Sequence, residues 1–150
     1  MHCSATVGPG GPLLVVSIQE SQARRSALVA AGQAPRAAIQ ANLLIDTGAS
    51  HTSLCDSIIT RLGLQPTGSI GVLTPTTGQT PAQVSTYDVD LIIQGYSLPG
   101  MVGLPHFVNN HSVSGCDLSA QGIDGLLGRD ILALARLTYS GPDNHFFLSF

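Results

Sequence analysis

Hydrophobic positions along this chain come in short bursts separated by glycine, proline and polar turns, the pattern of an all-β protein with one or two short helices. Leu13, Leu14, Val15, Val16 and Ile18 form a β-branched run that ends at the polar Gln19, Glu20 and Ser21 and predicts a strand. Residues 39–45 predict a second strand running directly into Asp46-Thr47-Gly48, where the glycine permits a tight turn. Residues 70–73 and 84–93 bracket a polar, glycine-tipped segment and predict a long hairpin able to project over a cleft. Residues 98–108 predict another strand, 113–119 a loop, 123–127 a strand, and the aromatic 144–150 a terminal strand that needs a partner.

Helical signals are short. Leu54, Ile58, Ile59 and Leu62 fall at helical spacing, with Gly63 placed as a C-terminal stop. Residues 131–137 have helical composition, with Ile131, Leu134 and Ala135 along one side. Residues 21–38 turn to Ala, Arg and Gln, which favours a short helix, but Gly32 and Pro35 interrupt any long one, so the segment as a whole reads as a hairpin-like excursion. Residues 1–11 are small, polar and glycine-rich and read as a mobile leader, leaving 12–150 as the folded domain.

Composition narrows the function. A chain of 150 residues holds one ordinary core, and charged residues at 10% leave part of the surface apolar enough to be covered by a partner. Six Lys plus Arg with a net charge of −3 give no footprint for nucleic acid. The apolar run at 13–18 is too short to span a bilayer, and three widely spaced cysteines, Cys3, Cys55 and Cys116, argue against a disulfide framework. A cytoplasmic, reducing setting fits. His51 and Cys55 share helical spacing, but no further ligand pair completes a metal site, so neither a metal nor a cofactor is expected.

At Leu44-Ile45-Asp46-Thr47-Gly48-Ala49-Ser50 an acid is delivered by an apolar strand into a small-residue turn, which presents a carboxylate without letting it wander. This segment resembles the active-site signature of the aspartic proteases. Ile123-Asp124-Gly125-Leu126-Leu127-Gly128-Arg129-Asp130 resembles the same family's element before its C-terminal helix, and the order of these features is similar to that of retropepsin-like proteases over residues 12–150. The resemblance implies a closed acid-protease barrel and a peptidase that needs no cofactor. It implies that Asp46 is the catalytic carboxylate, that Thr47, Gly48 and Ala49 form its loop, that Thr76, Thr77 and Gly78 form a flap over an extended peptide, and that Gly128, Arg129 and Asp130 support the loop.

The chain carries a single Asp-Thr-Gly, whereas the chemistry implied by the resemblance needs two carboxylates, so a homodimer about a two-fold axis through Asp46 is expected. In that family the terminal strand interleaves across the dimer, which residues 147–150 resemble, with 13–18 able to supply the N-terminal strand. Retroviral members carry an acid four residues after the catalytic one to pair with the arginine of the Gly-Arg element. Here that position is Ser50, and Arg129 must find another partner. Asp88, Asp90, Asp117 and Asp124, outside any Thr-Gly context, read as surface or turn acids. Two rivals stand: a non-catalytic dimerisation or peptide-binding module of the same fold, and a monomer whose cleft only a partner completes.

Overall fold

A computed structural model of the chain describes residues 1–73, 80–95 and 103–150. In order, the elements are β1 (His2–Thr6), β2 (Leu13–Glu20), α1 (Gln22–Ala30), β3 (Ile39–Ile45), β4 (Ser53–Cys55), α2 (Asp56–Leu62), β5 (Gly68–Val72), β6 (Ala82–Ile93), β7 (His106–Cys116), a 3-10 turn (Ser119–Gln121), β8 (Gly125–Leu127), α3 (Arg129–Leu132), β9 (Arg136–Ser140) and β10 (His145–Ser149).

Six strands close into a barrel in the order β2-β3-β8-β4-β7-β6, with β6 pairing back onto β2, while β5 extends the outer edge of β6. Closure follows from the alternation seen along β3, where Ile39, Ala41, Leu43 and Ile45 are buried and Gln40 and Asn42 exposed. Val16, Ile18, Leu43, Leu54, Leu91, Ile93, Val113 and Leu127 fill the interior. Helix α2 lays Ile58, Ile59 and Leu62 on this core and stops at Gly63, whose φ of 59° is the left-handed conformation that the sequence position predicts.

The expected mobile leader is instead a strand. Residues 2–6 pair antiparallel with β10, from His2 opposite Ser149 to Thr6 opposite His145, and β9 flanks the other side of β10. The terminal strand thus finds its partners within the chain, and Cys3, Phe146 and Leu148 join the common core. Residues 13–18, expected as a candidate N-terminal strand of a dimer sheet, lie in the barrel between β3 and β6.

In the segment expected as a hairpin-like excursion, the short helix that its composition favours forms as α1 and ends before Gly32. None of its residues is buried, so apolar packing does not hold it. Arg24 Nε lies 2.8 Å from Glu20 Oε1 and Arg25 Nη1 lies 2.9 Å from Asp90 Oδ2, and both carboxylates are buried. Asp90, read as a surface or turn acid, sits where the β6–β7 register shifts between Val89 and Leu91, an irregularity that re-aims a side chain.

Two further expectations change. The loop expected at 113–119 is strand as far as Cys116, because Val113 and Ser114 pair with Tyr87 and Thr86 on β6. The helix expected over 131–137 starts at Arg129 and ends at Leu132, and Arg136 already pairs with Ser149.

Candidate active site

Asp46 stands at the end of β3, beside Leu127 at the end of the parallel β8. Strand β8 lies between β3 and β4, the two strands that flank the Asp46 loop. That insertion leaves no space for side chains at two glycines. A Cβ on Gly125 would lie 2.1 Å from the Ser53 carbonyl oxygen, and one on Gly128 would lie 2.5 Å from the His51 carbonyl carbon.

The loop itself is tied at several points. Asp46 Oδ1 accepts from the N–H of Gly48 at 2.8 Å and of Ala49 at 3.3 Å, which fixes the orientation of the carboxylate. The Asp46 N–H donates to the Leu127 carbonyl at 3.1 Å, and the Arg129 N–H donates to the Ala49 carbonyl at 3.0 Å. Arg129 Nη1 donates to the Thr47 carbonyl at 3.1 Å, so with Ser50 in place of an acid the guanidinium holds the loop through its backbone.

Asp130 anchors the far side. Its carboxylate accepts from the Thr52 N–H at 2.8 Å and the Thr52 hydroxyl at 2.7 Å, and His111 Nε2 lies 3.0 Å away. Thr52 is fully buried, and its oxygen accepts in turn from the Gly128 N–H at 3.1 Å. Burial works against ionisation of Asp130, but the hydrogen bonds from His111 and Thr52 outweigh it and hold the pKa at about 2, below the ordinary 3.8. Thr52 and His111 carried no sequence signal, being a β-former within a strand approach and one of five scattered histidines.

A cleft of about 720 Å³ opens beside Asp46, lined by the Asp46 loop, Leu126, Ser114 to Leu118, and Gly71 to Leu73 with Pro81, Ala82 and Val84 at the base of the β5–β6 hairpin. Thr76, Thr77 and Gly78, expected at the flap tip, lie outside the described residues. Gly48 and Ala49 line the cleft, the first exposed and the second half-buried, while Thr47 is exposed beside them in the chain. His51 and Cys55 do not converge: His51 Nδ1 lies 4.0 Å from Asp130 Oδ2, while Cys55 Sγ donates to the Ile123 carbonyl at 3.2 Å. Among the described residues no three His, Cys, Asp or Glu side chains are grouped to hold a metal ion.

Barrel, strand-borne carboxylate and cleft together define the retropepsin-like fold. Residues 13–105 match the family described as retroviral aspartyl protease, and the chain belongs to that family. Its structure is similar to the crystal structure of a retropepsin-like aspartic protease from Rickettsia conorii, with a TM-score of 0.58 and 14% sequence identity over 100% of this chain and 91% of that one. No curated protein matches it by sequence. Among the described residues, no helix is long and apolar enough to cross a membrane.

Proposed function

We propose that this protein is an aspartic endopeptidase that acts as a homodimer, with Asp46 of each subunit sharing the acid and base roles. The observation that carries this reading is Asp46 itself, held by its own loop amides on the wall of a 720 Å³ cleft. Two such carboxylates brought together cannot both ionise cheaply, so the pair keeps one proton. The ionised member takes a proton from water as it attacks the scissile carbonyl. The protonated member donates to the carbonyl oxygen, and the resulting tetrahedral species collapses with proton transfer to the leaving amine.

One subunit provides one carboxylate, which is why the second copy is needed. Support for the two-fold comes from the loop: Thr47 is exposed, and its hydroxyl makes no hydrogen bond among the described residues, leaving it available to a facing loop. Strands β5 and β6 stand on the cleft rim, and this reading keeps for Thr76, Thr77 and Gly78 the flap role that the resemblance implies. The three cysteines are free, in keeping with a reducing, cytoplasmic setting.

The test is cleavage of a mixed peptide library between about pH 4 and 7 by the wild type and by Asp46→Asn, with light scattering to size both. Cleavage by a dimeric wild type, lost in a folded Asp46→Asn dimer, supports the reading. Two equally inert, folded dimers would favour the peptide-binding module instead.

A further inference from the structure

On β7 the backbone of His111 pairs with Val89, beside the register shift between Val89 and Leu91. The preceding Asn110 takes a left-handed φ of 50°. Irregular backbone on both strands thus marks the place where the His111 ring reaches the start of α3, with Nε2 3.0 Å from Asp130 Oδ2.

Asp130 has no acceptor site to spare. Its Oδ1 accepts from the Thr52 hydroxyl at 2.7 Å and from the Ile131 N–H at 2.9 Å, and its Oδ2 accepts from the Thr52 N–H at 2.8 Å beside the contact with His111. An ionised carboxylate offers about four lone-pair sites, and these contacts fill them. With its pKa at about 2 the Asp130 carboxyl only accepts at neutral pH, so the proton in this contact sits on His111 Nε2. His51 Nδ1 lies 4.0 Å from the same oxygen, beyond hydrogen-bond distance.

From Asp130 the contacts run on to Asp46. Thr52 Oγ1 accepts from the Gly128 N–H at 3.1 Å, the N–H of Arg129, next to Asp130 in the chain, donates to the Ala49 carbonyl at 3.0 Å, and the Ala49 N–H donates to Asp46 Oδ1 at 3.3 Å. We propose that His111 is a positioning residue for Asp46: by filling the last acceptor site on Asp130 it keeps that carboxylate turned toward Thr52, and so keeps the Asp46 loop aligned. The inference rests on the peptidase reading and extends it to a residue on β7, outside the loop and outside Gly128-Arg129-Asp130. His111 acts through Asp130 and not on substrate. Losing one hydrogen bond to a charged, partly buried group is enough to let the loop sample other arrangements, and a carboxylate displaced by a fraction of an ångström loses its alignment with water and the scissile carbonyl.

The experiment compares His111→Ala with His111→Gln, whose amide nitrogen stands as many bonds from Cβ as Nε2 does and so keeps the donor. Peptide cleavage is measured per folded dimer. In His111→Ala kcat is expected to fall about 10-fold with KM unchanged, because the loss falls on the transition state, and His111→Gln recovers most of it. Hydrogen exchange supplies a readout that needs no cleavage: the Asp46, Gly128 and Arg129 amides exchange about 10-fold faster in His111→Ala, near the wild-type rate in His111→Gln, with the β2 amides unaltered in both. An unchanged kcat, a loss carried by KM, or a loss that His111→Gln leaves in place overturns the proposal. So does exchange that quickens equally in β2, the mark of general destabilisation. If the wild type cleaves nothing while these exchange rates still depend on His111, the peptidase reading falls and the positioning of the loop stands. Cleavage with kcat and exchange both indifferent to His111 does the reverse.

Discussion

Removing the carboxylate of Asp130 should cost the protein both stability and its acid sensitivity, in amounts the structure sets. In Asp130→Asn the Thr52 N–H and hydroxyl, at 2.8 and 2.7 Å from the carboxylate oxygens, lose a charged acceptor. Thr52 is fully buried, so water does not replace it. The carboxyl pKa is lowered from 3.8 to about 2, which corresponds to about 2 kcal/mol of native-state preference for the ionised form. Because the folded value is the lower one, this contribution is fully present above about pH 4 and is lost as pH falls toward 2. The informative quantity is the difference between wild type and Asp130→Asn in urea unfolding, followed from pH 7 to pH 2. The expected difference is about 2 kcal/mol at neutral pH and shrinks through the acid window. A difference that stays constant down to pH 2, or that is under about 0.5 kcal/mol at pH 7, would refute the account of this carboxylate.

Three other perturbations follow from the same structure. Gly128→Ala places a methyl 2.5 Å from the His51 carbonyl carbon and 2.8 Å from the Thr52 nitrogen, both backbone; it should cost about 3 kcal/mol in chemical denaturation and lower cleavage more than the matching loss of folded protein explains. Arg25→Ala leaves Asp90, 1% exposed, without its cation, and should destabilise by about 3 kcal/mol while leaving a folded fraction whose cleavage is unaltered. Deleting residues 1–6 strips β1 from β10 and uncovers Phe146 and Leu148. The loss expected is about 2 kcal/mol or more, read as a lowered midpoint of thermal unfolding, and an unchanged midpoint would return these residues to the role of a mobile leader.

What the sequence determined by itself was local. Alternation placed β3 at its observed bounds, Gly63 was readable as a left-handed stop, and the apolar run into Asp46-Thr47-Gly48 located the candidate carboxylate. These features depend on spacing within a few residues, which is what side-chain periodicity and backbone freedom encode. The tertiary structure decided the rest. Residues 2–6 are weakly apolar, and they become a strand because β10, from His145 to Ser149 near the other end of the chain, offers an open edge in register. Arg24 and Arg25 meet the buried Glu20 and Asp90 only because α1 sets them there. Asp130 meets Thr52 across 78 residues of chain and His111 across 19. Hydrogen bonds across such separations leave no periodic trace, since any acceptor that the barrel brings within reach can serve.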